Sequence, residues 1–183
     1  MSKKKDLEIS LDWIQAYALK YLSRYSSSSK NLENVIKKRI KKISTNNECI
    51  NPCVESWIKL TINTLEQKKF LDDLEFAKAK AISLFKSGKP SKIIFAKLKN
   101  LGIPDEYIQN AIKNVSNNYV EDNSDEDIDF KAAKIFARKK NISFSNFNEE
   151  NSKQNKIQKF VRAGFSFATI SKLFNLNLIE YDR

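Results

Sequence analysis

The sequence of 183 residues contains no histidine, and this absence narrows the enzyme classes that it could represent. Histidine is the side chain most often used as a general base, a triad partner and a metal ligand. Catalysis would therefore have to rest on carboxylates, lysine or tyrosine. Carboxylates cluster at Asp72-Asp73 and in the run at 125–129. Acidic residues at helix starts are explained more simply as caps. Since phosphate loops and nucleophile elbows are also missing, we expect no catalytic, cofactor-binding or metal-binding residues and no enzyme activity.

Cysteine is scarce, and no long apolar run is present. The two cysteines, Cys49 and Cys53, do not complete a structural zinc site, which needs about four ligands. We interpret them as incidental thiols of a reducing compartment, with a regulatory disulfide as the alternative. No run of about eighteen apolar residues is present, and the polar start at 1–6 lacks the apolar stretch of a secretory signal. We therefore expect a soluble, cytoplasmic, monomeric protein.

Glycine and proline are also rare, at three residues each, and so few stop signals favour helices over a many-turned β fold. Hydrophobic residues make up 41% of the chain, which is enough for a folded core. Apolar residues recur every three or four positions in nine segments, the pattern of amphipathic helices. The segments are marked by Leu11, Ile14, Ala18 and Leu22; Leu32, Ile36, Ile40 and Ile43; Val54, Trp57, Ile58 and Leu65; Phe76, Ala77, Ala81 and Phe85; Ile94, Leu98 and Leu101; Tyr107, Ile108, Ala111 and Val115; Phe130, Ala133, Phe136 and Ala137; Ile157, Phe160 and Val161; and Phe167, Ile170, Leu173 and Phe174.

Capping residues and glycines predict where these helices begin and end. The first helix is expected at about 9–25, by the spacing of its apolar residues and the serine run that follows. The predicted starts are Ser29 as an N-cap, Pro52, Asp72 or Asp73, Pro90-Ser91, Pro104-Asp105 and Ser166, and the predicted ends include Gly88, Gly102 and Gly164. Phe165 would form a hydrophobic staple beside Ser166. Trp13 and Trp57 fall on apolar stripes and are expected in the core, although an aromatic side chain between basic groups could instead stack on a nucleic-acid base.

The helices form a pattern that repeats at an offset of 62 residues. This offset carries Ser29 onto Ser91 and Leu32 onto Ile94, and it carries Gly102 onto Gly164. We therefore predict an all-α protein of three tandem three-helix repeats at 1–70, 71–120 and 121–183, the last of which begins with an acidic linker at 121–129. Such repeats bury their apolar faces by stacking, so an elongated, curved array with a long concave face is expected.

A net charge of +11 suits a polyanionic partner or an acidic protein surface. The excess is greatest in the first repeat, where the net charge is +7, compared with +3 and +1 in the others. The candidate partner-binding or DNA-binding residues are Arg24, Lys37, Lys38, Arg39, Lys41, Lys42, Arg138, Lys139, Lys140, Lys159 and Arg162. The cluster at 37–42 could track phosphates or be only a solvated helix face. Residues 138–140 could instead stabilise the negative end of a helix dipole.

Several short motifs, in order along about 11–176, make the sequence resemble the RecX family. They are Tyr17-Ala18-Leu19 with Tyr21-Leu22 and Arg24; Phe70-Leu71-Asp72-Asp73 with Phe76-Ala77; Leu98 with Leu101-Gly102-Ile103; Ala133 with Phe136-Ala137-Arg138-Lys139-Lys140; and Arg162-Ala163-Gly164-Phe165-Ser166. The resemblance implies three helical repeats that bind the groove of the RecA recombinase filament on DNA and lower its ATPase and strand-exchange activity. It thereby implies a role in DNA repair, recombination and the SOS response. Two alternatives stay open: a stand-alone DNA-binding protein with helix-turn-helix-like units that contact the phosphate backbone, and a helical adaptor unrelated to DNA.

Overall fold

A computed structural model of the protein describes residues 9–43, 52–119, 127–142 and 150–174. Within these ranges the ordered elements are α-helices, and no strand is present. The helices are α1 (Leu11–Leu22), α2 (Ser29–Ile43), α3 (Val54–Gln67), α4 (Asp73–Lys86), α5 (Ser91–Asn100), α6 (Asp105–Tyr119), α7 (Ile128–Lys139), α8 (Glu150–Ala163) and α9 (Phe167–Phe174). The all-α prediction is confirmed, whereas the division into three repeats and the curved array stay predictions. No described helix is long and apolar enough to cross a membrane.

Short polar side chains cap the N-termini of several helices. Ser10 accepts a hydrogen bond from the Trp13 N–H at the start of α1, and Asp127 accepts one from the Phe130 N–H at the start of α7. The predicted cap of α9 is also present, because the Thr169 N–H lies 3.1 Å from Ser166 Oγ. Each bond satisfies a donor that the first helical turn leaves without an intrahelical partner.

One predicted start needs correction, and another is narrowed to one residue. Ser28, rather than Ser29, accepts the hydrogen bond from the Asn31 N–H, so the cap of α2 lies one residue earlier than expected. At α4 the choice left open between two aspartates falls on Asp72, whose Oδ1 accepts from the backbone N–H groups of Leu74 and Glu75 in the first turn. The serine run offered several equivalent hydroxyls, and the sequence alone did not distinguish them.

Five of the described helices are followed by a residue in the left-handed conformation: Lys69, Gly88, Gly102, Asn141 and Gly164. After Lys69, Gly88, Asn141 and Gly164 the next N–H donates to the carbonyl five residues before it, as in the bond from Ile142 N to Ala137 O at 2.9 Å. This is a Schellman-type ending, which satisfies the last carbonyls of the helix. Glycine therefore marks only some of the helix ends. Asparagine also tolerates the left-handed conformation, so Asn141 carries a weaker signal of the same kind, whereas Lys69 could not be recognised by residue type.

One compact unit comprises residues 1–76 with 101–103. Its core is formed by α1, α2 and α3 and contains Ile14, Ala18, Leu32, Ile36, Ile40, Val54, Ile58, Leu65 and Leu71. Trp13 and Trp57 pack against this core but are only half-buried, so the expectation that they belong to it is met in part. The apolar positions predicted for the first three helices thus define one shared core.

A second compact unit comprises residues 77–100 and 104–183. Within it α5 contacts α6, α6 contacts α7, and α9 contacts both α7 and α8. Four phenylalanines form a cluster with ring centroids 5.1–5.6 Å apart, and these are Phe136, Phe160, Phe165 and Phe174. Val161, predicted on the apolar side of α8, is 54% exposed. The acidic linker predicted at 121–129 ends early, because α7 already begins at Ile128.

Aspartates from the first turns of α4 and α7 accept hydrogen bonds from other helices. Asp73 Oδ1 accepts from the Ser29 N–H at 2.8 Å, and Asp129 Oδ1 accepts from the Ser91 N–H at 2.7 Å. Ser29 and Ser91 are the pair related by the offset of 62 residues. The shared arrangement is compatible with a structural repeat, and it gives both aspartates a role beyond their own helices.

Candidate interaction surface

The basic residues of α2 lie outside the core of the first unit. Leu32, Ile36 and Ile40 are buried at three- to four-residue spacing, which turns the opposite side of the helix to solvent. All five candidate side chains of this helix are exposed, and we call them the α2 basic face: Lys37, Lys38, Arg39, Lys41 and Lys42. The predicted cluster is therefore brought together on one helix, where it can contact a polyanion over about two turns.

Lys37 forms ion pairs with two carboxylates. Its Nζ lies 2.9 Å from Glu33 Oε1 and 3.1 Å from Glu55 Oε1. The hydrogen bonds with Glu33 and then Glu55 raise the pKa of Lys37. The hydrogen bonds from Lys30 and Lys37 lower the pKa of Glu33. Binding of an anion by Lys37 would compete with two carboxylates, so this residue is better suited to ordering α2 against α3 than to contacting phosphate.

An open apolar cleft of about 380 Å³ lies beside the α2 basic face. Its walls are formed by Ile40, Val54 and Ile58, and Lys37 and Lys41 line the same cleft from α2. Such a combination can hold an apolar side chain while lysines attract neighbouring acidic groups. The sequence did not single out this cleft, because it depends on the packing of α3 against α2.

The remaining candidate residues are also exposed, but each group lies on its own element. Arg24 follows α1 in the first unit, and Arg138, Lys139 and Lys140 stand at the end of α7 in the second. Lys159 and Arg162 lie on the exposed side of α8. The three residues that end α7 also complement its dipole, so both interpretations given to them stay open. The partner-binding role of all these residues stays a prediction.

Sequence reasoning did not anticipate the apolar side chains that remain exposed in the first unit. Leu19, Tyr25, Leu60 and Phe70 are 45–60% exposed. The signal of Leu19 and Leu60 in the sequence was weak, because each lies next to a buried helical residue, Ala18 or Thr61. In the described parts of the chain, no group of three or more cysteine and acidic side chains is arranged to hold a metal ion.

The described helices place the chain in the class of all-α proteins, and comparison with known proteins gives the family. No family model matches the chain. It is 28% identical to "Regulatory protein RecX" of Myxococcus xanthus over 178 residues, which cover 95% of this chain and 90% of that protein. It is 32% identical to the Bacillus licheniformis protein of the same name over 155 residues, covering 84% of this chain and 51% of that protein.

Solved structures agree with this assignment at the level of the fold. The crystal structure of RecX from Lactobacillus salivarius matches with a TM-score of 0.62 and 19% identity, covering 92% of this chain and 97% of that one. A second crystal structure of regulatory protein RecX gives a TM-score of 0.63 at 19% identity, with 90% and 73% coverage. The chain belongs to the RecX family. The family resemblance predicted from the sequence motifs is thereby confirmed.

Proposed function

We propose that the protein regulates a RecA recombinase by binding the RecA filament on DNA and lowering its ATP hydrolysis and strand exchange. The observation that carries the proposal is the match over 95% of this chain to a protein named regulatory protein RecX. In this role the protein acts by binding alone, without catalysis. Because the filament assembles on damaged or replicating DNA, the proposal places the protein in the cytoplasm and in DNA repair, recombination and the SOS response.

The physical support comes from charge and from repetition. A filament on DNA is a polyanion, and the α2 basic face offers exposed positive charges over about two helical turns. If the predicted repeats contact successive filament subunits, each weak contact raises the effective concentration of the next. The cleft between α2 and α3 adds a place for an apolar side chain of the recombinase beside those charges. Electrostatic attraction would then govern association, and the apolar contact would slow dissociation.

Co-sedimentation with preassembled filaments tests the proposal. RecA is assembled on a long single strand with a slowly hydrolysed nucleotide, and the protein is added at physiological ionic strength. We expect it to pellet with the filament, and to pellet much less with RecA alone or with DNA alone. Equal recovery with DNA alone would contradict the proposal and favour a stand-alone DNA-binding protein.

A matched pair of charge variants locates the contact. The triple variant Lys38→Glu, Arg39→Glu and Lys41→Glu reverses three charges on the α2 basic face. The control variant Lys92→Glu, Lys97→Glu and Lys113→Glu reverses three exposed charges on α5 and α6. Both change the net charge equally, so non-specific attraction falls equally. We expect the first to weaken filament binding roughly tenfold more than the second. Equal weakening would exclude the α2 basic face as the contact.

A further inference from the structure

An aromatic ladder runs along α1 and just past its end. Trp13, Tyr17, Tyr21 and Tyr25 are spaced four residues apart, so they lie along one side of the helix. The rings of Trp13 and Tyr17 are stacked, with centroids 5.4 Å apart and an interplanar angle of 6°. The rings of Tyr21 and Tyr25 are 5.1 Å apart and tilted by 40°. We call these four side chains the α1 aromatic ladder.

The ladder lies at the edge of the core and is not enclosed by it. Ile14 and Ala18 fill the interior side of α1 and are fully buried. The first three rings of the ladder are only half-buried, and Tyr25 is 58% exposed. Core packing therefore explains one side of these rings and leaves the other side open to solvent. Partly exposed aromatic side chains grouped along one side of a helix are a common mark of a binding site.

Positive charges accompany the ladder. Lys20 follows Tyr17 by three residues within α1 and so lies next to that ring along the helix surface, and Arg24 directly precedes Tyr25 just past the end of the helix. Both side chains are exposed. Alternating aromatic and basic groups attract a ligand that has flat apolar faces and a negatively charged backbone, which are the properties of a nucleic-acid strand.

The spacing of the ladder favours an unpaired strand over a duplex. Within the two pairs the ring centroids are 5.4 and 5.1 Å apart, whereas bases in a duplex strand lie about 3.4 Å apart. An extended single strand can separate its bases to match the wider spacing, and its base faces are available for stacking. In a duplex the faces are covered by neighbouring base pairs.

We propose that the α1 aromatic ladder binds single-stranded nucleic acid, with bases stacked on Tyr25 and its neighbours and with phosphates bound by Lys20 and Arg24. The contact is made by this chain itself and needs no recombinase. It therefore goes beyond the regulatory function proposed above, and it can be tested separately from it. On a filament, such a site would let the protein hold an exposed stretch of the strand.

Fluorescence anisotropy with a labelled oligothymidylate of roughly 16 nucleotides, in the absence of recombinase, tests the site. The variant Tyr25→Ala removes the most exposed ring, and Tyr107→Ala is the control because that tyrosine is 36% exposed on α6. We expect the dissociation constant to rise roughly fivefold or more for Tyr25→Ala and to stay unchanged for Tyr107→Ala. Thermal unfolding at an unchanged temperature would show that Tyr25→Ala leaves the fold intact.

Salt dependence separates stacking from charge. Arg24→Gln should reduce the slope of log affinity against log salt by about 1, whereas Tyr25→Ala should leave that slope unchanged. An abasic strand of the same length should bind more weakly than oligothymidylate, because it keeps the phosphates and lacks the stacking faces. A tryptophan signal gives a second measurement: in a Trp57→Phe background, emission comes from Trp13 alone and should be quenched as the strand binds.

Three results would overturn the proposal. One is an abasic strand or a duplex that binds as tightly as oligothymidylate. Another is an unchanged dissociation constant for Tyr25→Ala. The third is the absence of oligonucleotide binding even at low salt, which would leave the ladder as a surface for a protein partner.

Discussion

Replacing Gly88 with alanine is the most severe test of the packing in the second unit. Gly88 ends α4 with a φ of +74°, a conformation that costs an L-residue about 1–2 kcal/mol. A Cβ at this position would lie 2.8 Å from the Cα and the backbone N of Phe136 in α7. Because those atoms belong to a helix backbone, no side-chain rotation relieves the contact, and overpacking of this kind costs about 1–3 kcal/mol more. We therefore expect Gly88→Ala to lower the free energy of unfolding by about 2–5 kcal/mol.

Urea unfolding followed by helical circular dichroism measures this loss. The variant Gly88→Asn separates the two causes, since asparagine tolerates the left-handed conformation but still carries a Cβ against Phe136. It should recover only part of the loss. The control Ser87→Ala changes an exposed side chain in the same turn and should stay within about 0.5 kcal/mol of the original protein. An equally small effect of Gly88→Ala would refute the close approach of α7 to this turn.

Three further perturbations test individual contacts. Asp73→Ala removes the acceptor of the Ser29 N–H and should lower the free energy of unfolding, measured by urea titration, by about 1–2 kcal/mol. Asp73→Asn keeps an acceptor oxygen and should lower that free energy less. The hydrogen bonds from two lysines lower the pKa of Glu33. The ionised carboxylate therefore stabilises the fold above the unfolded pKa near 4.5, and this stabilisation is lost as the pH falls through the folded pKa. The difference in unfolding free energy between Glu33→Gln and the original protein should shrink when urea unfolding is repeated below pH 4.5. Ser171 buries a hydroxyl that has no hydrogen-bond partner among the described residues, so Ser171→Ala should leave the thermal unfolding temperature unchanged or raise it, and a clear decrease would contradict that assignment.

Local sequence patterns predicted the helices well because each depends on residues close together in the chain. The buried positions Ile36 and Ile40 and the cap at Ser166 followed directly from helical spacing and capping rules. The all-α class followed in the same way. These features are set within one or two helical turns, where the chain itself determines which residues are neighbours.

Contacts between distant segments could not be predicted in this way. Asp73 and Asp129 were interpreted as local caps or as part of a linker, whereas each accepts a hydrogen bond from a residue 44 or 38 positions away. The α2 basic face was predicted as a cluster, but the pairing of Lys37 with Glu55 depends on how α3 packs against α2. The sequence also did not predict that Trp13 is only half-buried, because helical spacing shows which side of a helix faces the core but not where the core ends.

The rate of ATP hydrolysis by RecA filaments, followed while this protein is titrated into them, tests the central claim most directly. Filaments are first assembled on single-stranded DNA, so that any effect acts on the finished filament and not on its nucleation. We predict that hydrolysis falls at protein concentrations well below that of RecA, and that the triple variant of the α2 basic face needs a higher concentration for the same fall. Hydrolysis that continues unchanged when the protein is in excess over RecA would contradict the account.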